Sequence, residues 1–188
     1  MKFALNRHDT SSISAYSEDV ARAESVGWDA AFLPDSHLRR RDTYVLLAAA
    51  ARSTQSIQIG TLLTNPITRH PAVTASSIST VAELAPGRTL LTCGIGDTAV
   101  RLSGLKPATV RELEESIHLI KSLLSGRPTL LGDQQNSLPF AQPVPVWVGA
   151  AGPKTLEMSG ACADGVFIRV GTNMENIRSA VASVHDGA

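Results

Sequence analysis

Four short apolar runs in this 188-residue chain end in residues that can bind or react. Asp35, Ser36 and His37 follow "DAAFLP" (29–34), and Thr64 and Asn65 follow "SIQIGTLL" (56–63). "RTLLTCG" (88–94) closes in Gly94 and leads to Gly96 and Asp97, while "VPVWVGA" (144–150) closes in Ala150 before Ala151, Gly152 and Pro153. A carboxylate at the dry end of a buried strand can have a raised pKa and exchange protons. Small residues beside it let backbone approach a flat ligand. Each feature also has a plainer reading. Asp35, Ser36 and Asp97 are favoured helix caps, Gly94 and Gly96 can simply tighten a turn, and Gly152-Pro153 is ordinary at a helix start. Arg39, Arg40 and Arg41 read as a solvated loop rather than an anion site. His37 and His70 flank strand-end loops, whereas His118 and His185 fall within helical patterns. Recurrence of such residues at four successive strand ends lifts these plainer readings toward a site.

The elements that would carry these residues alternate regularly. Strands are predicted at 2–6, 29–34, 56–63, 88–94, 144–150 and 165–170. Helices are predicted at 16–27, 43–53, 72–84, 108–124, 153–162 and 173–185. Leu113, Ile117, Ile120 and Leu124 repeat at helical spacing on one face. Residues 126–143 break the rhythm and read as a surface excursion within a single domain spanning 1–188. Strands that are apolar throughout and separated by helices imply a parallel sheet covered by helices. The candidates are a doubly wound sheet and a (β/α)8 barrel, and both bind ligands at the C-terminal strand ends. The first strand-to-helix turn, "NRHDTSSISAY", lacks G-x-G-x-x-G, which weakens the dinucleotide-binding option.

Composition narrows the partners. Seventeen basic residues balance 17 acidic ones, so no global field points to nucleic acid or an anionic membrane. No apolar run approaches the ~20 residues that span a bilayer. The N-terminus lacks a signal-peptide core. Cys93 and Cys162 lack metal-like spacing and read as reduced core thiols, so no metal site is expected. A cytoplasmic protein acting on a small molecule fits best.

The stretch "GTLLTNPITRHPAVTASSISTVAELAPGRTLLTCGIGDTAVRLSGLKP" resembles the luciferase-like flavin-dependent oxidoreductases. It is most similar to the branch of methylenetetrahydromethanopterin reductase and other enzymes of the deazaflavin coenzyme F420. "LPDSHLRRRDTYVLLAAAA" and "PVPVWVGAAGPKTLEMSGACADGV" extend the resemblance to either side. It implies an F420-dependent oxidoreductase, with an FMN-dependent monooxygenase or a catalytically silent module as alternatives. It implies a TIM-barrel (β/α)8 fold, here incomplete at about six βα units. Asp35 and Ser36 would lie beside the ring, and a non-prolyl cis peptide between Leu62 and Leu63 would press on its back face. Thr64 and Asn65 would bond the ring's polar edge, Gly94 and Gly96 would bind the cofactor at the turn before Asp97, and Asp97 would be the proton donor, with Asp35 as a second catalytic candidate. His37, where relatives often differ, is the third catalytic candidate. Ala150, Ala151, Gly152 and Pro153 would approach the cofactor's side chain and phosphate.

Six parallel strands cannot close an eight-stranded barrel. Strands 2–6 and 165–170 are therefore expected to present unpaired edges. Either a second copy covers them, giving a homo-oligomer, or residues beyond 188 complete the barrel.

Overall fold

In the computed structural model, which describes residues 2–6 and 10–188, strands and helices alternate as expected. Strand β1 (Ala4–Asn6) leads to α1 (Ile13–Ser25), β2 (Ala30–Leu33) to α2 (Thr43–Ser53), and β3 (Gln58–Thr61) to α3 (Pro71–Leu84). After β4 (Thr89–Cys93) come a short α4 (Thr98–Leu102) and the longer α5 (Val110–Leu124). The chain then forms β5 (Thr129–Leu131), β6 (Gln134–Asn136), β7 (Val146–Ala150), α6 (Pro153–Cys162), β8 (Gly165–Ile168) and α7 (Met174–Gly187). The first strand-to-helix turn lies partly outside the described residues.

Local chemistry explains the helix boundaries. Ser12, Asp42 and Asn173 accept backbone N–H groups at the starts of α1, α2 and α7, and such caps each contribute ~1 kcal/mol. Thr109 and Glu112 bond reciprocally in a capping box that starts α5. Pro153 opens α6 where a missing N–H costs nothing. Asp35 and Ser36 are not caps, because α2 begins at Thr43 behind Asp42.

Six parallel strands form one sheet in the order β1-β2-β3-β4-β7-β8. The alternation of side chains sorts residues onto its two faces. Ala31, Leu33, Ile59, Leu91, Cys93, Val146 and Val148 point to the convex face, where the helices bury them in the main core. Ala30, Phe32, Leu90, Trp147 and Phe167 gather on the concave face. Phe32 of β2 meets Phe167 of β8 edge-on at 5.5 Å between ring centroids, although three strands separate them. The sheet is thus curled into a half-barrel, with β1 and β8 as its end strands. Gly60 permits this curl: an added Cβ there would lie 2.0 Å from the Leu90 carbonyl oxygen.

Two features are absent from the sequence reading. The excursion at 126–143 contains an antiparallel β5–β6 hairpin, turned at Gly132, whose φ is +59°. The excursion is tied to α3 through Ser79, whose hydroxyl donates to the Phe140 carbonyl and accepts the Gln142 N–H, both at 2.9 Å. Helix α4 has five residues, too few to show a periodicity.

Glu24 at the end of α1 locks the entry to β3. Its carboxylate accepts the N–H groups of Gln55, Ser56 and Ile57. Burial alone raises its pKa, but these donors outweigh it and lower the value to about 2. A depressed carboxylate stabilises the fold above its unfolded pKa and loses that contribution as pH falls through the folded value. Stability is therefore expected to fall between about pH 4.5 and 2, and Glu24→Gln should flatten this acid limb. Urea unfolding across that range checks this; an unchanged slope in the variant would assign the acid loss to other groups.

Candidate functional site

The C-terminal ends of the strands surround a cavity of about 570 Å³. Asp35 and Ser36 enter from the end of β2, Leu62 and Leu63 from β3, and Gly96 and Asp97 from the turn after β4. Opposite them stand Phe167, Ile168 and Arg169 of β8 and its end. The structure thus gathers residues from three of the four strand ends singled out in the sequence.

The Leu62–Leu63 peptide is cis, as the resemblance implies. Leu62 N–H donates to the Leu33 carbonyl at 2.6 Å, and the Leu63 carbonyl accepts Asp35 N–H at 3.3 Å. The ends of β2 and β3 are therefore stitched together at this peptide. The Leu63 side chain lies where Gly94 and Gly149 leave room, since Cβ atoms there would come within 2.9 and 2.5 Å of its Cδ2. Gly94 thus makes space for Leu63 rather than lining the cavity. Gly96 adopts φ +85°, and a Cβ there would strike Val100 and Asn65.

Behind the cavity wall lies a charged network that the sequence reading did not assemble. Asp35 is only 4% exposed. Its Oδ2 accepts the Thr64 hydroxyl at 2.8 Å and Arg69 Nε at 3.4 Å. Arg69 also donates to Asp42 at 2.8 Å, and its guanidinium carbon lies 4.6 Å from the centre of the Tyr44 ring. Burial would lower the Arg69 pKa, but the charge of Asp35 and the bond to Asp42 outweigh it and raise the value. Burial raises the Asp42 pKa, but the Val45 N–H and Arg69 pull it lower still. Burial, reinforced by Asp35, pushes the Tyr44 hydroxyl up and the Cys93 thiol up to about 12. Cys93 is a free, inert core thiol. Arg69 was visible in "TNPITRHPA", but nothing in that string shows that it reaches back to Asp35 across 34 residues.

Several expected site residues are placed elsewhere. Thr64 is fully buried and gives its hydroxyl to Asp35, so it cannot bond a ligand's edge. Asn65 lines the cavity, but its Oδ1 accepts the N–H groups of Ile67 and Thr68, which closes the turn before α3. His37 is exposed and bonds Ser103 at 3.2 Å, outside the cavity lining. His70 caps α3 by accepting Ala72 N–H. Ala150 is buried in the core; Ala151, Gly152 and Pro153 are exposed at the start of α6, and none of the four lines the cavity. Asp97 does reach the cavity, but not as a dry carboxylate. Its side chain is 76% exposed and pairs with Arg101 at 2.5 Å. It precedes α4 without capping it.

Fold and site together define a curled α/β half-barrel with a polar-rimmed cavity at its C-terminal strand ends. The family model described as luciferase-like monooxygenase matches residues 2–188, and the chain belongs to that family. It is 38% identical to a 5,10-methylenetetrahydromethanopterin reductase of Methanolobus tindarius, over 88% of this chain and 53% of that protein. It is 33% identical to an F420-dependent glucose-6-phosphate dehydrogenase of Amycolatopsis mediterranei, over 84% of this chain and 54% of that protein. The chain thus spans about half the length of the curated relatives it matches. Among solved structures, the coenzyme F420-dependent tetrahydromethanopterin reductase of Methanopyrus kandleri superposes with a TM-score of 0.84 at 24% identity. That match covers 99% of this chain and 60% of the other.

Proposed function

We propose that this chain forms the ring-binding part of an oxidoreductase that transfers a hydride between coenzyme F420 and a small organic molecule. The observation that carries this reading is the cavity above Leu62 and Leu63, at the strand ends where barrel proteins bind ligands, in a chain related to F420-dependent enzymes. Its volume falls within the ~300–1,000 Å³ typical of small-molecule sites. Leu62, Leu63 and Phe167 provide an apolar floor for a flat ring, and Ser36 provides a polar edge. The residues present therefore fit such a group.

When bound, the deazaflavin supplies the hydride chemistry; the protein supplies binding, orientation and electrostatics. Leu62 and Leu63 would support the ring and exclude water from it. Asp35, clamped by Thr64 and Arg69, is acceptor-only and acts as a fixed negative charge at the wall. Asp97 is the proton-donor candidate by position: its carboxyl group lines the open side of the cavity beside Arg101, whereas the Asp35 carboxylate is already bonded to Thr64 and Arg69.

Absorbance titration of the purified chain with oxidised F420, and separately with FMN, tests the reading. Saturable binding of F420, with a perturbed visible band and at least about tenfold tighter than FMN, is expected. Preference for FMN would move the chain to the monooxygenase side of the family. Binding of neither would leave a silent module.

A further inference from the structure

The Asp35 carboxylate is held by only one of its two oxygens. Oδ2 accepts both the Thr64 hydroxyl and Arg69 Nε, and among the described residues no group donates to Oδ1. The side chain is 3% exposed, and the residue lines the cavity. A buried carboxylate oxygen without a donor carries a desolvation cost. That cost is offset when a bound molecule donates an N–H or O–H to it.

Both partners of Oδ2 are themselves fixed, on different elements. Thr64 bridges the end of β3 to β4: its N–H donates to the Thr92 carbonyl at 2.9 Å, and its carbonyl accepts Gly94 N–H at 3.0 Å. Arg69, in the turn before α3, is anchored on the start of α2. Its Nη2 donates to Asp42 Oδ2 at 2.8 Å, while Asp42 Oδ1 accepts the N–H groups of Tyr44 and Val45. Tyr44 of the same helix sets its ring against the guanidinium. Thr43 braces this helix start against β2 by donating its hydroxyl to the Pro34 carbonyl at 3.0 Å, one residue before Asp35. Arg69 itself does not line the cavity, so any effect it has there passes through Asp35. One planar guanidinium fork thus spans two carboxylates, a geometry that a lysine ammonium, a single point charge, does not reproduce.

We infer that Arg69 is a positioning residue for the cavity: anchored on α2, it fixes Asp35 by Oδ2 and leaves Oδ1 to accept a hydrogen bond from the bound molecule. The wall therefore selects a ligand that presents an N–H or O–H donor to Asp35. This rests on the oxidoreductase reading only for which molecule that is.

The test separates positioning from stability with Arg69→Lys, which keeps the cation. Absorbance titrations use whichever of F420 and FMN the wild-type chain binds, at a temperature below the melt of every variant. Arg69→Lys is expected to weaken binding by about tenfold, but by less than about twofold when Asp35→Asn is already present. Equal binding by wild type and Arg69→Lys, or an equal loss in both backgrounds, overturns the inference. Should Arg69→Lys fail to fold, Asp42→Ser takes its place with the same pattern expected: serine still caps α2 but removes the carboxylate that anchors Arg69. If the wild-type chain binds neither chromophore, the oxidoreductase reading falls, and crystal structures of the wild type and the variant decide the role of Arg69. A displaced Asp35 carboxylate in the variant then supports the inference, and one in its wild-type place overturns it.

Discussion

Arg69→Met is expected to destabilise the chain by about 3 kcal/mol, the lower end of the cost of breaking a buried ion pair. The side chain of Asp35 is 3% exposed, and without Arg69 its charge keeps, among the described residues, only the Thr64 hydroxyl as a hydrogen-bond partner. Tyr44 would lose the cation over its ring at the same time. The lower end applies because the Arg69 side chain is 20% exposed, so water can partly replace it. For a chain of this size the loss corresponds to about 6–12 °C in melting temperature. Adding Asp35→Asn should restore much of it, since the orphaned charge would be gone. Urea denaturation of both variants is the check. A loss below about 1 kcal/mol in Arg69→Met would mean that solvent, not Arg69, balances Asp35.

Gly60→Ala is expected to cost about 3 kcal/mol or more, at or beyond the top of the overpacking range. The added Cβ would lie 2.0 Å from a backbone oxygen, Leu90 O, which cannot swing aside as a side chain can. Strands β3 and β4 pair at this point, Gly60 opposite Leu90, so relief requires opening the ladder. The entropy gained by removing a glycine, ~0.4–1 kcal/mol, is too small to compensate. Gly149→Ala is the contrasting variant. Its Cβ would meet Leu63 Cδ2 at 2.5 Å, a movable side-chain end. It should retain most of the stability while displacing Leu63 from the cavity floor and weakening ligand binding. Melting curves and ligand titration on the two variants distinguish the cases; equal stability losses would refute this account of the two glycines.

The order of elements was legible because a parallel sheet covered by helices demands strands that are apolar on both faces. "DAAFLP", "RTLLTCG" and "VPVWVGA" meet that demand, and each lies within two residues of the strand observed. Gly27 and Pro153 marked helix ends by backbone chemistry alone. The β5–β6 hairpin escaped because Gln134, Gln135 and Asn136 are exposed and lack the alternation that betrays a strand. The Leu62–Leu63 peptide was reached through family resemblance, not through any property of two leucines.

By itself, the sequence determined which strand ends carry polar residues, and therefore which end of the half-barrel holds the cavity. That follows from chain direction: every parallel strand delivers its last residues to the same side. Only the tertiary structure decided which of those residues face the cavity. Thr64 and Asn65 are adjacent, yet one is locked behind Asp35 and the other closes a turn at the rim. Arg69 joins Asp35, and Arg39 shares a wall space with Arg169, across separations that no local pattern encodes. Such contacts depend on strand register and sheet curl, and those are set by packing between distant segments rather than by neighbours in the chain.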